Sequence, residues 1–439
     1  MNRSIRMIST RGESTSVSFT KAMQQGLAPD GGLYMPDPVP TLPISFWNGL
    51  AGASISEIGA TIASSFGSDP EEAQKLEHIA RTAIDFDAPL VQLSDSLYVL
   101  ELFHGPTLAF KDFGARFMAR AFAKLDTRED RDLLILVATS GDTGSAVAHG
   151  FYNVPGTRVC LLYPSGRVST LQEKQMATLG GNITALEVRG AFDDCQSLVK
   201  QAFSDSELRN ELRLSSANSI NIARLLPQTF YYIRALAQWM ERKVHARPPR
   251  FVVPSGNFGN LTAGLMAARM GMPNAGFVAA TNANDVVPGY LKNGNFEPRP
   301  SIETLSNAMD VGNPSNFERM LHLFEHSIDR FRREVTGVSF SDVQTRDKIS
   351  EIYQTYGYIA DPHTAVGLLA AEHQSTPETP TVVLSTAHPA KFGDVVSPAI
   401  GQDVPIPDRL ADCMHREKKS ESISTEYAEF RNRIRSISI

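Results

Sequence analysis

Cysteine is scarce in this chain of 439 residues, and its only copies, Cys160, Cys195 and Cys413, are far apart. Scattered thiols of this kind do not build the disulfide framework of a small secreted fold or the paired ligands of a structural zinc site. Ten histidines are present, but none belongs to a His-Glu-x-x-His or similar spacing. We therefore expect reduced thiols, a cytoplasmic protein and no catalytic metal.

Long apolar runs and an excess of positive charge are also missing. No stretch approaches the roughly 20 apolar residues of a membrane span, so we expect no membrane partner. The formal net charge of -6 at pH 7 argues against nucleic acid as a partner. An anionic substrate would have to meet a local concentration of positive charge. We expect a small-molecule substrate.

The length of the chain fits two or three domains, each with its own core. Glycine and proline break the first 90 residues or so into short segments, and apolar residues recur at helical spacing over 55–66 and 71–84. Further along, apolar runs of the kind found in buried parallel strands alternate with helical patterns. This alternation predicts an α/β fold with parallel sheets.

Four apolar runs are each followed by a loop that carries reactive or anion-binding groups. The runs are 97–102, 133–138, 251–254 and 381–385, and the loops are 103–111, 139–144, 255–260 and 386–393. In open α/β sheets, ligands bind beyond the carboxyl ends of the strands. We therefore expect the four loops to face one crevice.

Lys111 ends the first of these loops and has the aromatic neighbours Phe110 and Phe113. An apolar environment disfavours the charged ammonium and lowers the pKa of a lysine. A neutral amine is a nucleophile that forms Schiff bases with carbonyl cofactors. The alternative is a lysine that lies along the surface with its ammonium group in water.

The loops at Gly256–Gly259 and Thr139–Gly144 each have a functional and a structural interpretation. The first can bring backbone amides close to a phosphate at a helix amino terminus, although it is neither a Gly-x-Gly-x-x-Gly motif nor a P-loop. It can equally be a plain tight turn. The second has hydroxyls and amides that suit a carboxylate, or it serves as a helix cap with turn glycines.

The segment 216–224 brings Ser219, Asn221 and Arg224 close together in sequence. Arginine with hydroxyl and amide donors suits a dianionic phosphate ester, whereas an exposed helix face is the alternative for Arg224. Together, the lysine, the two anion-binding loops and this segment suggest pyridoxal phosphate acting on a phosphorylated amino acid.

Motifs along nearly the whole chain resemble the threonine synthases, within the fold type II family of pyridoxal-phosphate enzymes. They lie at residues 9–12, 30–33, 104–114, 139–144, 216–221, 253–259, 305–310 and 385–392. The lysine and glycine loops are shared across fold type II. The combination of Asn-Ser-Ile-Asn at 218–221 with Thr-Ala-His-Pro-Ala-Lys-Phe at 386–392 is specific to threonine synthases.

The resemblance implies a fold like that of the tryptophan synthase β subunit, with two open, parallel α/β domains and a small accessory domain. The accessory domain would cover residues 1–95. The large cofactor-binding domain would consist of 96–125 and 215–439, with a small α/β domain, 126–214, inserted in it.

The resemblance also implies roles for individual residues. Lys111 would hold the cofactor as a Schiff base and shuttle protons, and the Thr386 hydroxyl would meet the pyridine nitrogen. The implied cofactor-binding residues, besides these two, are Phe110, Asp142, Gly256, Asn257, Phe258, Gly259 and Asn260. The implied substrate-binding residues are Thr139, Ser140, Asp142 and Thr143 for the carboxylate, and Ser219, Asn221 and Arg224 for the phosphate. Many other fold type II enzymes have asparagine at the position of Asp142.

The implied reaction converts O-phospho-L-homoserine and water to L-threonine and phosphate by β,γ-replacement. Other interpretations remain open. A serine/threonine dehydratase or a β-substituting synthase would share Lys111 but would not need Arg224 beside Ser219. A relative that senses phosphorylated ligands without catalysis and a dinucleotide-binding enzyme are further alternatives.

Two further expectations concern the assembly and the histidines. We expect a monomer, with a dimer as the alternative. His104, His149, His363 and His388 are candidates for a general base, although histidines in apolar surroundings are more often packed and hydrogen-bonded.

Overall fold

The computed structural model describes residues 5–126, 131–242, 247–374 and 379–437. The strands are β1 (Arg6–Ser9), β2 (Tyr34–Asp37), β3 (Leu90–Gln92), β4 (Leu97–Glu101), β5 (Leu133–Ala138), β6 (Thr157–Pro164), β7 (Ile183–Val188), β8 (Arg213–Ser216), β9 (Arg250–Pro254), β10 (Phe277–Thr281), β11 (Val335–Ser339), β12 (Thr381–Ser385) and β13 (Glu421–Ile423).

The helices are α1 (Phe19–Gln25), α2 (Ile44–Asn48), α3 (Ile55–Ser64), α4 (Pro70–Ala83), α5 (Lys111–Leu125), α6 (Asp142–Phe151), α7 (Thr170–Ala177), α8 (Phe192–Ser204), α9 (Ser206–Glu211), α10 (Ile222–Leu225), α11 (Gln228–Arg242), α12 (Gly259–Arg269), α13 (Val286–Asn293), α14 (Phe317–Leu323), α15 (Ile328–Glu334), α16 (Asp342–Tyr356), α17 (Pro362–His373), α18 (Gly393–Ile400), α19 (Asp408–Met414) and α20 (Tyr427–Ile437). In the described ranges, no helix has the length and apolar character needed to cross a membrane.

The larger sheet has six strands in the order β11-β10-β9-β12-β4-β3. All neighbouring strands are parallel except β3, which runs antiparallel to β4 at the edge. Strands β10 and β12 are buried along their whole length. Their near-continuous apolar sequence is what a parallel strand covered by helices on both faces requires.

The smaller sheet has five parallel strands in the order β13-β7-β6-β5-β8. Side chains of a strand alternate between the two faces of the sheet. In β5, Ile135 and Val137 accordingly belong to the main core of the molecule. Leu134 and Leu136 instead join a second apolar cluster with α8 and α20. The predicted parallel α/β fold is confirmed.

The amino-terminal segment combines a small antiparallel pair, β1 and β2, with helices that pack on the main core. Ser54 and Glu57 form a reciprocal cap at the start of α3, and Asp69 caps α4 ahead of Pro70. Helices α3 and α4 therefore lie where the helical spacing over 55–66 and 71–84 predicted them. The division at residue 95 stays a prediction.

The carboxyl-terminal segment adds to the smaller sheet. Strand β13 pairs in parallel with β7, with Ile423 opposite Val188. Phe430 and Ile434 of α20 lie in the apolar cluster beneath this sheet. The resemblance grouped these residues with the large domain, and this division, like the other domain boundaries, stays a prediction.

The order of the strands decides which loops meet. Strands β9, β12 and β4 are neighbours, so the loops after them leave one edge of the larger sheet. Strands β5 and β8 are likewise neighbours in the smaller sheet. The predicted reactive loops and the segment 216–224 therefore leave the carboxyl edges of two sheets.

Candidate active site

Lys111 is the first residue of α5 and is held by a tight turn. The Asp112 carboxylate accepts hydrogen bonds from the Thr107 backbone N–H at 2.8 Å and from the Thr107 hydroxyl at 2.7 Å. The Phe110 N–H donates to the carbonyl oxygen of Thr386 at 2.9 Å. The lysine loop after β4 and the loop after β12 are thus paired directly.

The Lys111 amine has the low pKa expected from its sequence context. Burial is the main cause that lowers its pKa to about 8; the charge of Asp142 opposes this shift, and those of Lys391 and Arg224 add to it. The amine lies 5.9 Å from the centre of the Phe110 ring. A much larger fraction of this amine is therefore neutral at pH 7 than for a lysine in water.

The glycine loop after β9 leads directly into helix α12. Phe258 adopts the left-handed conformation, with φ of 58°, and α12 begins at Gly259. A Cβ atom at Gly256 would lie 2.6 Å from the Cα of Met309, so only glycine fits against that backbone. The free N–H groups at the start of α12 can bind an anion such as a phosphate.

Asn260, in the first turn of α12, has an unused donor. Its Oδ1 accepts hydrogen bonds from the hydroxyls of Tyr231 at 2.7 Å and Tyr232 at 2.8 Å. Its Nδ2 is buried and has no partner among the residues that the structure describes. A buried amide without a partner is costly, and a bound phosphate would relieve that cost.

In the loop after β5, one hydroxyl stabilises the turn and two are free to bind a ligand. The Thr139 hydroxyl oxygen accepts hydrogen bonds from the N–H groups of Gly141 at 3.0 Å and Gly144 at 2.8 Å, so it stabilises the turn. Ser140 and Thr143 are partly exposed. Their hydroxyls form no hydrogen bond within the described ranges and can reach a ligand. The Thr139 side chain instead stabilises the turn that carries Ser140 and Thr143.

Asp142 forms a buried ion pair that joins the two sheets. Its Oδ1 lies 2.6 Å from the Nζ of Lys391 and accepts a hydrogen bond from Gln172 at 3.0 Å. Burial alone would raise the pKa of Asp142, but the charges of Lys391 and Lys111 hold it well below its ordinary value. Lys391 also donates to the carbonyl oxygen of Thr107 at 2.9 Å. Asp142 thus acts on Lys111 as a fixed negative charge.

Arg224 is buried in the short helix α10 beside α5. Its Nη1 donates to the carbonyl oxygen of Ala217, and its Nε has no partner within the described part of the chain. Burial lowers the pKa of Arg224 to about 10, so it stays charged at neutral pH. A buried guanidinium with an unpaired donor is suited to an incoming anion.

The side chains of Asn221 and Asn257 are already hydrogen-bonded to other groups of the protein. Asn221 caps α10 through the Ala223 N–H, and its Nδ2 donates to the carbonyl oxygens of Met23 and Ser216. Its predicted contact with a substrate phosphate would require one of these bonds to break and stays a prediction. Asn257 donates to the Ser219 hydroxyl oxygen at 2.7 Å, which places the glycine loop next to the segment 216–224.

The candidate histidines have other roles in the structure. His363 uses both ring nitrogens, on the Asp361 carboxylate at 2.5 Å and the Ala308 N–H at 3.2 Å. Burial lowers the pKa of His149 and of His388 to about 4, so both are neutral at physiological pH. His104 lies 2.8 Å from the Glu101 carboxylate.

The sequence analysis assigned no role to Lys391, Asn316 or Arg319, all of which support the site. Lys391 lies in the sequence Pro-Ala-Lys-Phe, and the argument from apolar neighbours that singled out Lys111 applies to it as well. Asn316 and Arg319 contact Ser219 from nearly 100 positions away in the chain. No local sequence pattern points to such a contact.

The residues around Lys111 fit pyridoxal phosphate. The glycine loop with the start of α12 would take its phosphate, the Lys111 amine would take its aldehyde, and Thr386 lies on the loop paired with that of Lys111. Ser219 and Arg224 form a second polar group at the end of the smaller sheet. The loops after β4, β5 and β12 are in direct contact through the bonds described above, and their facing one crevice together with the glycine loop stays a prediction.

Family models match the chain along most of its length. A model described as threonine synthase N terminus matches residues 6–84, and one described as pyridoxal-phosphate dependent enzyme matches residues 76–387. A third, described as threonine synthase, C-terminal, matches residues 364–434. These matches include the loops that meet around Lys111.

Individual relatives cover almost the same extent. The threonine synthase of Haemophilus influenzae is 44% identical over 94% of this chain and 96% of its own length. The crystal structure of threonine synthase from Escherichia coli is 41% identical, covers 98% of this chain and 99% of that chain, and has a TM-score of 0.91. The structure of pyridoxal-phosphate-bound threonine synthase from Brucella melitensis is 36% identical, covers 99% and 100% of the two chains, and has a TM-score of 0.93.

Proposed function

The chain belongs to the threonine synthase family, a family of pyridoxal-phosphate-dependent lyases of fold type II, and we propose that the residues around Lys111 carry out its reaction. In that reaction, O-phospho-L-homoserine and water give L-threonine and phosphate. The observation that carries the assignment of residues is the presence of two separate anion-binding groups beside one amine of low pKa.

The cofactor position follows from the fit described above. We assign its phosphate to Gly256, Asn257, Phe258, Gly259 and Asn260, through the backbone of the loop and the free amide of Asn260. We assign Thr386 to its pyridine nitrogen and the side of its ring to Phe110. When bound, pyridoxal phosphate withdraws electrons from the α-carbon of an amino acid and makes the α-proton acidic.

Lys111 is the group that moves protons. A usable fraction of its Nζ is neutral near pH 7, because burial lowers its pKa to about 8. The neutral amine can accept the α-proton of the substrate and return a proton to the γ-carbon after the phosphate has left. Asp142 and Lys391 have opposite charges, so their effects on the pKa of this amine partly cancel.

Ser219 and Arg224 bind the substrate phosphate. The guanidinium stabilises the dianion and the charge that develops as the phosphate leaves. Of Ser219 and Arg224, only Arg224 is charged. Because Arg224 is buried, little water competes with the phosphate for its hydrogen bonds. Ser140 and Thr143 hold the substrate carboxylate with their available hydroxyls. Under this assignment, the carboxylate and the phosphate of the substrate bind beyond the ends of the neighbouring strands β5 and β8.

Other fold type II chemistry predicts a different substrate preference. A dehydratase acts on serine or threonine and has no use for a buried arginine at a phosphate position. The free donor of Arg224 therefore favours a phosphorylated substrate. We further propose a monomeric, cytoplasmic enzyme, with a dimer as the alternative that light scattering distinguishes.

Supplying O-phospho-L-homoserine to the purified holoenzyme tests the assignment. We expect phosphate and threonine to appear in equal amounts, with serine turned over far more slowly. Lys111→Ala should remove turnover and also the absorption near the visible edge that the bound cofactor gives. Turnover of serine with phosphohomoserine left intact would overturn the proposed substrate, and an unchanged absorption in Lys111→Ala would overturn the role of Lys111.

A further inference from the structure

Arg319 of α14 is a fully buried cation that forms no ion pair with a carboxylate in the described ranges. Its Nε donates to the carbonyl oxygen of Tyr34 at 3.2 Å, and its Nη2 donates to that of Ile220 at 2.6 Å. Its Nη1 donates to the carbonyl oxygen of Ser219 at 3.0 Å and to the Oδ1 of Asn316 at 2.8 Å. The guanidinium therefore holds both the backbone of the 216–224 segment and one side chain that contacts it.

Arg319 fixes the orientation of the Asn316 amide. An arginine can only donate hydrogen bonds, so the Asn316 atom that faces it must be the oxygen. The amide nitrogen of Asn316 consequently faces the other way, where it donates to the Ser219 hydroxyl oxygen at 3.1 Å and to the Asn257 carbonyl oxygen at 3.0 Å. Its hydrogen-bond partners therefore fix which side of the Asn316 amide is oxygen and which is nitrogen.

The Asn257 amide is oriented in the same way by a backbone donor. The N–H of Ser315 donates to its Oδ1 at 2.6 Å, and a backbone N–H can only donate. The Asn257 nitrogen therefore faces Ser219 and donates to its hydroxyl oxygen at 2.7 Å. Two amide donors of fixed direction thus converge on one hydroxyl.

These two donors leave the Ser219 hydroxyl one possible role. A serine hydroxyl has two acceptor positions and one donor, and both acceptor positions are occupied. The O–H of Ser219 has no acceptor in the described part of the chain, and the residue is partly exposed. The hydroxyl is therefore available only as a donor to a ligand, which suits an anion.

We propose that Asn316 and Arg319 are positioning residues that point the Ser219 hydroxyl proton at the phosphate of the substrate. This inference rests on the proposed function, because it takes Ser219 as a phosphate ligand of the reaction. Neither residue touches the substrate. Both act by making Ser219 an obligatory donor, and Arg319 adds a buried positive charge behind the phosphate-binding segment.

A purely structural role for Asn316 would predict a different set of kinetic effects. Loss of a structural amide would reduce stability and lower kcat without a preference for the phosphate end of the substrate. Loss of a positioning amide acts on phosphate binding through Ser219, so its effect on the KM and on phosphate inhibition should disappear once the Ser219 hydroxyl is gone. Neighbouring residues that share one interaction give such non-additive double variants.

The test compares Ser219→Ala, Asn316→Ala and the double variant as holoenzymes. We expect each single variant to raise the KM for O-phospho-L-homoserine and the inhibition constant of inorganic phosphate by about tenfold, with kcat less affected. For the double variant, the KM and the inhibition constant of phosphate should stay within about twofold of those of Ser219→Ala. An effect of Asn316→Ala that multiplies with that of Ser219→Ala, or no effect on KM and phosphate inhibition, would overturn the proposal.

Asn182→Ala is the matched control. Asn182 also bridges backbone groups, through hydrogen bonds to the carbonyl oxygens of Phe151 and Thr157 and from the N–H of Asn153. It lies immediately before β7, at the opposite end of that strand from the site. It should lower stability and leave KM and phosphate inhibition unchanged. A rise in KM equal to that of Asn316→Ala would show that the assay reports lost stability, and would count against the proposal.

Arg319→Lys provides a second variant with the charge retained. A lysine cannot supply the same set of bonds to Tyr34, Ser219 and Asn316, so we expect a raised KM with cofactor absorption intact. A KM equal to that of the native enzyme would overturn the role of Arg319. If the native holoenzyme releases no phosphate from phosphohomoserine, the proposed function itself fails. If the native holoenzyme is active and the variants have its KM, only the positioning role is overturned.

Discussion

At the scale of single residues, the ion pair of Asp142 with Lys391 sets the electrostatics around Lys111. The two side chains are only 4% and 0% exposed, so almost no water screens them. A buried pair of this kind adds little net stability, but losing one partner leaves an uncompensated charge. The aspartate at a position where many fold type II enzymes have asparagine is therefore explained by its lysine partner.

The pair predicts opposite pKa shifts for Lys111. Asp142→Asn removes the negative charge that raises the pKa of Lys111, so this pKa should fall below about 8. Lys391→Met removes a positive charge that lowers it, so the pKa should rise. Because only the neutral amine reacts with an aldehyde, the rate at which the apoenzyme takes up pyridoxal phosphate should increase with pH to a plateau, with a midpoint near this pKa.

Following the absorbance of the cofactor as it binds, at several pH values, measures that midpoint. The double variant Asp142→Asn with Lys391→Met is the control, since it removes both charges and should return the midpoint towards that of the native protein. Shifts of the same sign in the two single variants would contradict the electrostatic account.

Arg224 gives a second prediction at this scale. Arg224→Ala should lower kcat/KM for phosphohomoserine by about tenfold to a hundredfold, because hydrogen bonds to charged groups contribute about 1.5–3 kcal/mol. The absorbance of the bound cofactor should persist, since the cofactor phosphate is assigned to the glycine loop. Steady-state kinetics and an absorption spectrum check both parts, and a colourless variant would show that the two phosphate sites are not separate.

At the scale of elements, the close contact of α5 with α10 links the lysine to the phosphate-binding arginine. A Cβ atom at Gly114 would lie 2.8 Å from both the Nε and the carbonyl oxygen of Arg224. Glycine at this position of α5 therefore allows the two helices to approach. The helix that carries Lys111 and the helix that carries Arg224 are positioned by the same contact.

Gly114→Ala should accordingly disturb both stability and binding. We expect a loss of about 1–3 kcal/mol in the free energy of unfolding, typical of overpacking, and a raised KM because Arg224 has to move. Urea denaturation and steady-state kinetics measure the two effects. Gly289→Ala in α13 is the control, because nothing lies within 4 Å of its added Cβ, and it should leave both quantities nearly unchanged.

At the scale of the whole molecule, positive charge is concentrated inside a protein whose net charge is negative. The formal charge is -6, yet Lys391, Arg224 and Arg319 are all buried near the site. Of the buried carboxylates close to them, Asp142 is paired with Lys391, and Asp112 accepts hydrogen bonds from Thr107. The local concentration of positive charge that an anionic substrate requires is therefore present and shielded from solvent.

The position of the site between two sheets predicts a closing motion. The reaction needs water excluded at first and admitted later, and movement of one sheet towards the other is a direct way to achieve this. We expect a smaller radius of gyration by small-angle X-ray scattering when a phosphohomoserine analogue binds the holoenzyme. Inorganic phosphate alone is the control and should give no change. An unchanged scattering curve with the analogue would contradict closure.

The sequence by itself determined the α/β fold, the four loops and the special character of Lys111. Each of these depends on local information: apolar runs that must be buried, turn residues, and a lysine whose immediate neighbours are apolar. The motifs around Lys111, Gly256 and Thr386 were sufficient to place the chain in a family of pyridoxal-phosphate enzymes.

Only the tertiary structure decided which groups in those loops are available to a ligand. The hydroxyl of Thr139 and the amides of Asn221 and Asn257 are committed to the protein, whereas those of Ser140, Thr143 and Ser219 are not. The partners that decide this come from distant parts of the chain, as Arg319 does for Ser219. The direction of a hydrogen bond depends on both of its partners, and sequence spacing contains no information about a partner that the fold supplies.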